Sequence, residues 1–167
     1  MDKLAICVHT FEKLLDIQYH IIIGRKGKTT KLCISFSKLD FHHLMGLGKL
    51  KDLRIATRNR GIVFDEILSG KITYETISKS HYLHLIENRF RPLAHIETLF
   101  DDNRLVFRYN MKANQFSVID ADYLLSTPYA KNDIYIFLAK QKETGRYFCR
   151  SFFPKEQKDY TKGQAIY

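Results

Sequence analysis

Two adjacent histidines, His42 and His43, are the side chains of this chain best suited to proton chemistry. They lie within a short apolar stretch, residues 41–47. Imidazole gains and loses a proton near neutral pH, which makes it the commonest general acid or base. The chain also carries 27 Lys and Arg against 18 Asp and Glu, a formal net charge of +9. This charge favours polyphosphate partners such as RNA or DNA, so the two features together suggest an enzyme that acts on nucleic acid.

A short helix is predicted to position the histidine pair. Ser37 and Asp40 have the spacing of a capping box, and Gly46 is placed to end the helix, which gives a predicted span of residues 38–45. Adjacent residues of a helix point about 100° apart. We therefore expect one histidine to be structural and the other to face a cleft, and both remain candidates.

Apolar periodicity predicts that helices precede most of the strands. Helices are predicted over residues 4–16, 38–45, 59–68, 74–78, 82–90 and 93–100. Strands are predicted over residues 18–24, 30–36, 104–109, 115–119, 123–126, 134–138 and 146–152. This order predicts an α+β domain, with N-terminal helices and an early β-hairpin followed by a mainly antiparallel sheet of four to five strands.

One domain is expected over residues 1–167. Within it, residues 1–36 would form a helix and an added hairpin, residues 37–100 a helical part, and residues 101–167 the sheet.

Alternation along two predicted strands suggests a surface for single-stranded RNA. If the strands at 104–109 and 146–152 are neighbours, their cations and rings can share one face, with cations on phosphates and rings on bases. The alternative is that the rings belong to the core and the arginines extend from its edges. The predicted nucleic-acid contacts are Arg104, Arg108, Arg146, Phe148 and Phe152.

Other motifs are too incomplete to predict a cofactor. Gly27-Lys28-Thr29 resembles the end of a phosphate-binding loop, but only two residues separate it from Gly24 and a strand follows. We interpret it as a charged hairpin tip. His81 and His84 could share a metal, but no third ligand is evident, and the acids at 101–102 and 120–122 fall in predicted turns. We therefore expect neither a metal nor a cofactor.

The cysteines and the absence of long apolar runs favour a cytoplasmic protein. Cys7, Cys33 and Cys149 are far apart and form no Cys-x-x-Cys pair, so we expect free thiols in a reducing compartment. No run approaches the roughly 18 apolar residues that span a bilayer, and the first residues do not read as a signal segment. No membrane partner is expected.

Several segments carry a resemblance to a known family, and together they extend over residues 35–164. The segments are Phe41-His-His-Leu-Met-Gly-Leu47, Phe64-Asp-Glu-Ile-Leu-Ser-Gly-Lys-Ile-Thr-Tyr74, Ala121-Asp-Tyr-Leu-Leu125, Arg150-Ser-Phe-Phe-Pro154 and Asp159-Tyr-Thr-Lys-Gly-Gln164. They resemble a phage- and mobile-element-associated nuclease-like family that is grouped with the barnase, EndoU, colicin and RelE-like ribonucleases (the BECR fold, fourth phage-type subgroup). The resemblance implies a metal-independent RNase with helices before a four-stranded antiparallel sheet.

The resemblance also implies a reaction, attack of an RNA 2′-hydroxyl on the neighbouring phosphate. That reaction needs a base, an acid for the leaving 5′-oxygen, and cations for the phosphorane charge. His42 or His43 would be the base or acid, and Arg150 would stabilise the phosphate charge. The hydroxyl groups that would orient the phosphate are those of Ser151, Tyr160 and Thr161.

The leading hypothesis is a toxin-like or phage-encoded endoribonuclease. Its expected substrate is RNA, with tRNA as one candidate. Its expected protein partner is a cognate inhibitor or the host nucleic-acid machinery. A second hypothesis is a non-catalytic inhibitor that binds nucleic acid or protein on the same scaffold. A third is a nucleotidyl- or ADP-ribosyl-transferring toxin, which would need a nucleotide pocket that the sequence does not reveal.

Overall fold

The computed structural model describes residues 1–102 and 105–167. The α-helices are α1 (Lys3–Leu14), α2 (Lys38–Met45), α3 (Arg60–Leu68), α4 (Tyr74–Ser78), α5 (Phe90–Ala94) and α6 (Ile96–Asp101). The strands are β1 (Gln18–Arg25), β2 (Lys28–Ser35), β3 (Leu105–Arg108), β4 (Tyr123–Tyr129), β5 (Asn132–Lys140), β6 (Tyr147–Pro154) and β7 (Ala165–Ile166). Short 3-10 turns cover Leu47–Lys49, Arg54–Ala56, Leu83–Leu85, Glu87–Arg89 and Met111–Ala113. The predicted α+β class is confirmed.

The predicted sheet of four to five mainly antiparallel strands is wrong. In the part of the chain that the structure describes, seven strands form one mixed sheet in the order β1-β2-β6-β5-β4-β3-β7. Strands β2 and β6 are parallel and meet at Ile34 and Tyr147. Two additions enlarge the sheet, because the early hairpin extends it beyond β6 and the short strand β7 extends it beyond β3.

Strand β6 contains a β-bulge at Arg150. Phe137 of β5 pairs with Ser151, and the next residue of β5, Leu138, pairs with Cys149. Arg150 is therefore the extra residue, and the residues beyond it change faces. Cys149 and Phe152 consequently belong to the same core cluster. The strict alternation predicted for residues 146–152 is wrong for this reason.

The two faces of the sheet are covered differently. One face of the sheet packs against helices and forms the larger core with them. These helices are α1, α2, α3, α5 and α6. A second, aromatic-rich cluster lies on the other face and contains Phe107, Tyr109, Leu124, Tyr135 and Phe137. Ile119 and Tyr160 pack over this second cluster from loops. Strand β6 also contacts helix α2.

Residues 82–90, predicted as one helix, contain the 3-10 turns Leu83–Leu85 and Glu87–Arg89. Ile86 and Arg89 are both buried, and their spacing of three residues matches the repeat of a 3-10 turn. The helix predicted over 93–100 is divided into α5 and α6. Pro92 lies in the first turn of α5, where its missing N–H does not interrupt the helix.

The strand predicted over residues 115–119 is also wrong, because two of its apolar side chains, Phe116 and Val118, face solvent. Phe116 has a φ of 63° and is 98% exposed, and Val118 is 91% exposed. The loop is held instead by a hydrogen bond of 2.8 Å between the hydroxyls of Tyr109 and Ser117. Among the helices of residues 1–102 and 105–167, none combines the length and apolar character needed to cross a membrane.

Candidate active site

Helix α2 forms as its capping pattern predicts. Asp40 Oδ2 accepts the backbone N–H of Ser37 at 2.8 Å, and Ser37 Oγ accepts the N–H of Leu39 at 3.2 Å. Gly46 ends the helix in the left-handed region, with a φ of 80°. The fully buried face of α2 consists of Phe41, Leu44 and Met45. These contacts set the direction of each histidine.

The two histidines lie in different surroundings. His42 is 4% exposed, and its Nε2 lies 2.8 Å from the carbonyl oxygen of Ile55. Nε2 must carry the proton to donate this bond. Burial is the main cause that lowers the pKa of His42. His43, by contrast, lies on the exposed side of α2, as expected for neighbours about 100° apart on a helix.

His43 lies beside the bulge of β6, since His43 and Arg150 line the same smaller pocket. Burial lowers the pKa of His43, and the positive charges of Arg60, Arg89 and Arg150 lower it further, while the Arg150 backbone, as a hydrogen-bond acceptor, acts in the opposite direction. A lowered pKa favours the neutral ring at neutral pH. A neutral imidazole has one ring nitrogen that can accept a proton.

A cleft of about 1040 Å³ opens beside His43. Its walls come from the end of α2, the start of α3, the 3-10 turns before α5, the loop after β3 and the segment that includes and follows the end of β6. Its cationic side chains are Lys49, Arg60, Arg89 and Lys158. Its hydrogen-bonding side chains include Asn88, Ser151, Gln157 and Tyr160. This composition suits an anionic ligand.

A smaller pocket of about 360 Å³ adjoins the cleft and shares His43, Arg60 and Ser151 with it. Asp40 and Arg150 line this pocket as well. Asp40 is three residues before His43, so both lie on neighbouring positions of the α2 surface. Burial raises the pKa of Asp40. An imidazole, a carboxyl group and two guanidinium groups therefore converge on one pocket.

The predicted residues Tyr160 and Thr161 have different positions. Tyr160 lines the large cleft, and its ring packs edge-on against Phe137 at a centroid distance of 5.4 Å. Thr161 does not line either pocket. Its hydroxyl donates to Asp159 Oδ1 at 2.6 Å, and this bond is the main cause that lowers the pKa of Asp159 to about 2. Thr161 thus stabilises the loop that carries Tyr160.

The predicted RNA surface is not one continuous platform. Strands β4 and β5 separate β3 from β6, so Arg108 is not a neighbour of Arg146. The guanidinium of Arg108 lies 4.9 Å from the ring centroid of Tyr123. Phe148 lines the smaller pocket, whereas Phe152 is fully buried and cannot stack on a base. The predicted contact Arg104 lies outside the described residues.

The residues of the two pockets that were not among the predicted site residues include Asp40, Lys49, Arg60 and Arg89. Asp40 was interpreted only as part of a helix cap. The three cations come from separate elements, and no spacing in the sequence links them. Burial and the charge of Arg89 lower the pKa of Lys49.

The other polar groups considered in the sequence have structural partners. His84 Nδ1 lies 3.1 Å from the carbonyl oxygen of His81, and Asp122 Oδ2 accepts the N–H of Lys140 at 2.8 Å. Across residues 1–102 and 105–167, no three His, Cys, Asp or Glu side chains lie together as candidate metal ligands. The cysteines are free thiols, with Cys33 partly exposed and the other two buried.

Comparison with known proteins identifies one family. The model of a family described as phage-Barnase-EndoU-ColicinE5/D-RelE like nuclease4 matches residues 3–167, nearly the full chain. No curated protein and no solved structure gives a significant match.

Proposed function

The chain belongs to this phage-type family of barnase–EndoU–colicin–RelE-like nucleases, and from that premise we propose that it is a metal-independent endoribonuclease. Membership implies a nucleic-acid substrate. The observation that carries the proposal is the meeting of His43 with Arg150 and Ser151 beside the large cleft. An imidazole able to accept a proton lies there next to cationic and hydroxyl groups, which is the combination that phosphodiester cleavage by a neighbouring hydroxyl requires.

In the proposed reaction, His43 takes the proton from the 2′-hydroxyl of the substrate. The 2′-oxygen forms a bond to phosphorus, and the bond from phosphorus to the 5′-oxygen breaks. The products are a 2′,3′-cyclic phosphate and a 5′-hydroxyl. His43 fits the role of base because its lowered pKa favours the neutral ring and because its side chain lines both the large cleft and the smaller pocket.

The leaving 5′-oxygen needs a proton, which we assign to the Tyr160 hydroxyl in the large cleft. Burial raises the pKa of Tyr160, so this hydroxyl stays protonated at neutral pH. The tyrosinate that remains would regain a proton from water. Ser151 would hydrogen-bond the phosphate, and Thr161 would support Tyr160 through Asp159.

The charge that develops on the phosphate needs nearby cations. Arg150 and Arg60 line the smaller pocket with His43, and a guanidinium can contact two phosphate oxygens at once. We assign Arg150 and Arg60 to this role. His42 would act indirectly, since its bond to the Ile55 carbonyl anchors α2.

Several further predictions accompany this proposal. We propose that RNA is the substrate, that the chain functions as one domain in the cytoplasm, and that a cognate inhibitor or host nucleic-acid machinery is a partner. The family and the net charge of +9 support the substrate and the partners. The chain length supports the single domain, and the free cysteines support the cytoplasm.

The deciding experiment is RNA cleavage by the purified protein in the presence of EDTA. We expect the wild type to cleave single-stranded RNA, to leave 2′,3′-cyclic phosphate ends, and to spare a strand with 2′-deoxyribose at the cleavage site. His43→Ala should reduce cleavage by about 10² to 10⁴-fold. His20→Ala, which changes an exposed histidine of β1, is the matched control.

Undiminished cleavage by His43→Ala would exclude the proposed base. RNA binding by the wild type without any cleavage in EDTA would contradict the proposed enzyme and would favour a non-catalytic nucleic-acid-binding protein.

A further inference from the structure

Arg89 is a buried cation that lies at the end of the histidine helix. Its side chain is 7% exposed, and its Nη1 donates to the carbonyl oxygen of Leu44 at 3.0 Å and more weakly to that of His43 at 3.5 Å. These carbonyls belong to the last turn of α2, the negative end of the helix dipole. The guanidinium is therefore fixed relative to His43.

The close approach of Gly46 shapes the place that Arg89 occupies. A Cβ atom on Gly46 would lie 3.2 Å from Cζ and 3.3 Å from Nε of Arg89. The guanidinium thus lies against bare backbone on this side. Arg89 also lines the large cleft, so its position is set by the protein while part of it borders the space that a substrate would occupy.

Most donors of this guanidinium remain available to a ligand. A guanidinium carries several N–H donors, on Nε and on both terminal nitrogens. Within residues 1–102 and 105–167, Nη1 is the nitrogen that donates to protein acceptors. Among the described residues no fully buried side-chain nitrogen lacks a hydrogen-bond partner. The Arg89 nitrogens that make no protein bond therefore reach the open cleft, where an anion can accept their hydrogen bonds.

Lys49 adds a second positive charge to the same part of the cleft. It lines the cleft with Arg89, and the charge of Arg89 contributes to the lowered pKa of Lys49. The acidic group that affects both residues is Glu156, whose Oε1 accepts a hydrogen bond from Asn88 Nδ2 at 3.1 Å. Two adjacent cations that repel each other are stabilised by an anion placed between them.

We propose that Arg89 and Lys49 form a second phosphate subsite, which binds the phosphodiester next to the one that is cleaved. The assignment rests on the proposed ribonuclease function, which makes single-stranded RNA the ligand. Arg89 is hydrogen-bonded to the last turn of α2, the helix that carries His43. The subsite would therefore position the RNA strand relative to His43, the proposed general base. Glu156 would oppose binding, since its negative charge repels a phosphate.

The test uses oligonucleotides with 2′-deoxyribose throughout, because they lack the attacking hydroxyl and cannot be cleaved by this mechanism. Affinity is measured for a dinucleotide with one phosphodiester and a trinucleotide with two. The wild type should bind the trinucleotide more tightly. Lys49→Gln should lose most of this gain. The slope of its log Kd against log salt concentration should also be smaller by about 0.7, because one phosphate contact is lost.

Matched variants separate a subsite from a general charge effect. Lys51→Gln removes the same charge from an exposed residue that lines neither pocket, and it should keep the wild-type gain and slope. Glu156→Gln should increase the affinity for the trinucleotide, the direction opposite to that of Lys49→Gln. Arg89→Lys keeps the charge but loses the fixed donors, and it should also lose the gain; its thermal unfolding establishes that it is folded.

Two results together would overturn the subsite. In the first, Lys49→Gln and Lys51→Gln show the same gain in affinity from dinucleotide to trinucleotide and the same salt dependence. In the second, Glu156→Gln does not increase the affinity for the trinucleotide. Binding to these uncleavable strands does not require catalysis. Failure of the subsite is therefore distinguishable from failure of the RNase proposal, which the cleavage assay with His43→Ala tests.

Discussion

The His43 imidazole lies beside Arg150 in the smaller pocket, where helix α2 packs against the bulged strand β6. Arg150 is the unpaired extra residue of that bulge, and the extra residue of a bulge leaves the regular ladder. Its carbonyl can therefore serve a side chain. As a hydrogen-bond acceptor, the Arg150 backbone acts on the pKa of His43 in the direction opposite to burial.

The first prediction concerns the pKa of His43. Arg60→Gln should raise this pKa towards the ordinary value of 6.5, because Arg60 is the charge that lowers it most. The measurement is a pH titration of the His43 ring protons by NMR. Arg54→Gln is the control, since Arg54 is exposed and is not among the charges that act on His43. An equal pKa of His43 in both variants would show that the charge of Arg60 does not lower it.

A second prediction concerns two exposed arginines, Arg150 within β6 and Arg146 just before it. Arg150→Ala should lower kcat by about 10²-fold, the usual effect of removing one group that stabilises transition-state charge. Arg146→Ala removes an equally exposed arginine that lines neither pocket, and it should leave kcat unchanged. RNA cleavage under saturating substrate provides the measurement. Comparable losses in both variants would instead support a charged surface along the strand.

A third prediction concerns stability. His42→Ala removes the donor to the Ile55 carbonyl, a bond of 2.8 Å in a buried setting. The free energy of unfolding in urea should decrease by about 1 to 3 kcal/mol, the cost of leaving a buried polar group unpaired. His20→Ala, at an exposed position of β1, should have little effect. Unchanged stability of His42→Ala would show that the bond does not anchor α2.

The sign of the pH dependence follows from the lowered pKa of His42. As pH falls below 6.5, the unfolded chain binds a proton at this residue before the folded chain does. Wild-type stability should therefore decrease as pH falls from 6.5 towards the folded-state pKa. Urea unfolding of His42→Ala across this range should show a smaller decrease, and His43→Ala should also reduce it, because the pKa of His43 is lowered as well.

Local signals explain why the histidine helix was predictable. The capping side chains of Ser37 and Asp40 and the left-handed Gly46 act within a few residues of the helix ends, so the sequence alone predicts both boundaries. Most strands were predicted for a similar reason, since their alternation is local. The loop around Phe116 is the exception, because an apolar pattern does not reveal that its side chains face solvent.

The cleft depends on information that no local pattern carries. The bulge at Arg150 arises from the register between β5 and β6, and that register is decided by the whole sheet. Lys49 and Arg89 come from different 3-10 turns that are far apart in the sequence but line the same cleft. A family resemblance suggests the site residues His43, Arg150, Ser151 and Tyr160. Their placement around two adjoining pockets could not be derived from spacing.

The fourth prediction concerns Gly46, where the helix end and the proposed phosphate subsite coincide. Gly46 and Gly70 both have a φ of 80°, so an alanine at either position costs roughly 1 to 2 kcal/mol of backbone strain. At Gly70 nothing lies within 4 Å of the added Cβ, whereas at Gly46 it would lie 2.8 Å from Cγ2 of Ile86 and would also press on Arg89.

Gly46→Ala should therefore destabilise the protein more than Gly70→Ala in urea unfolding. It should also weaken binding of the uncleavable trinucleotide, because the added methyl group displaces the Arg89 guanidinium. Gly70→Ala should bind the trinucleotide as the wild type does. Equal losses of stability in the two variants would mean that the contact with Ile86 relaxes without cost, and that Gly46 is required only for its backbone conformation.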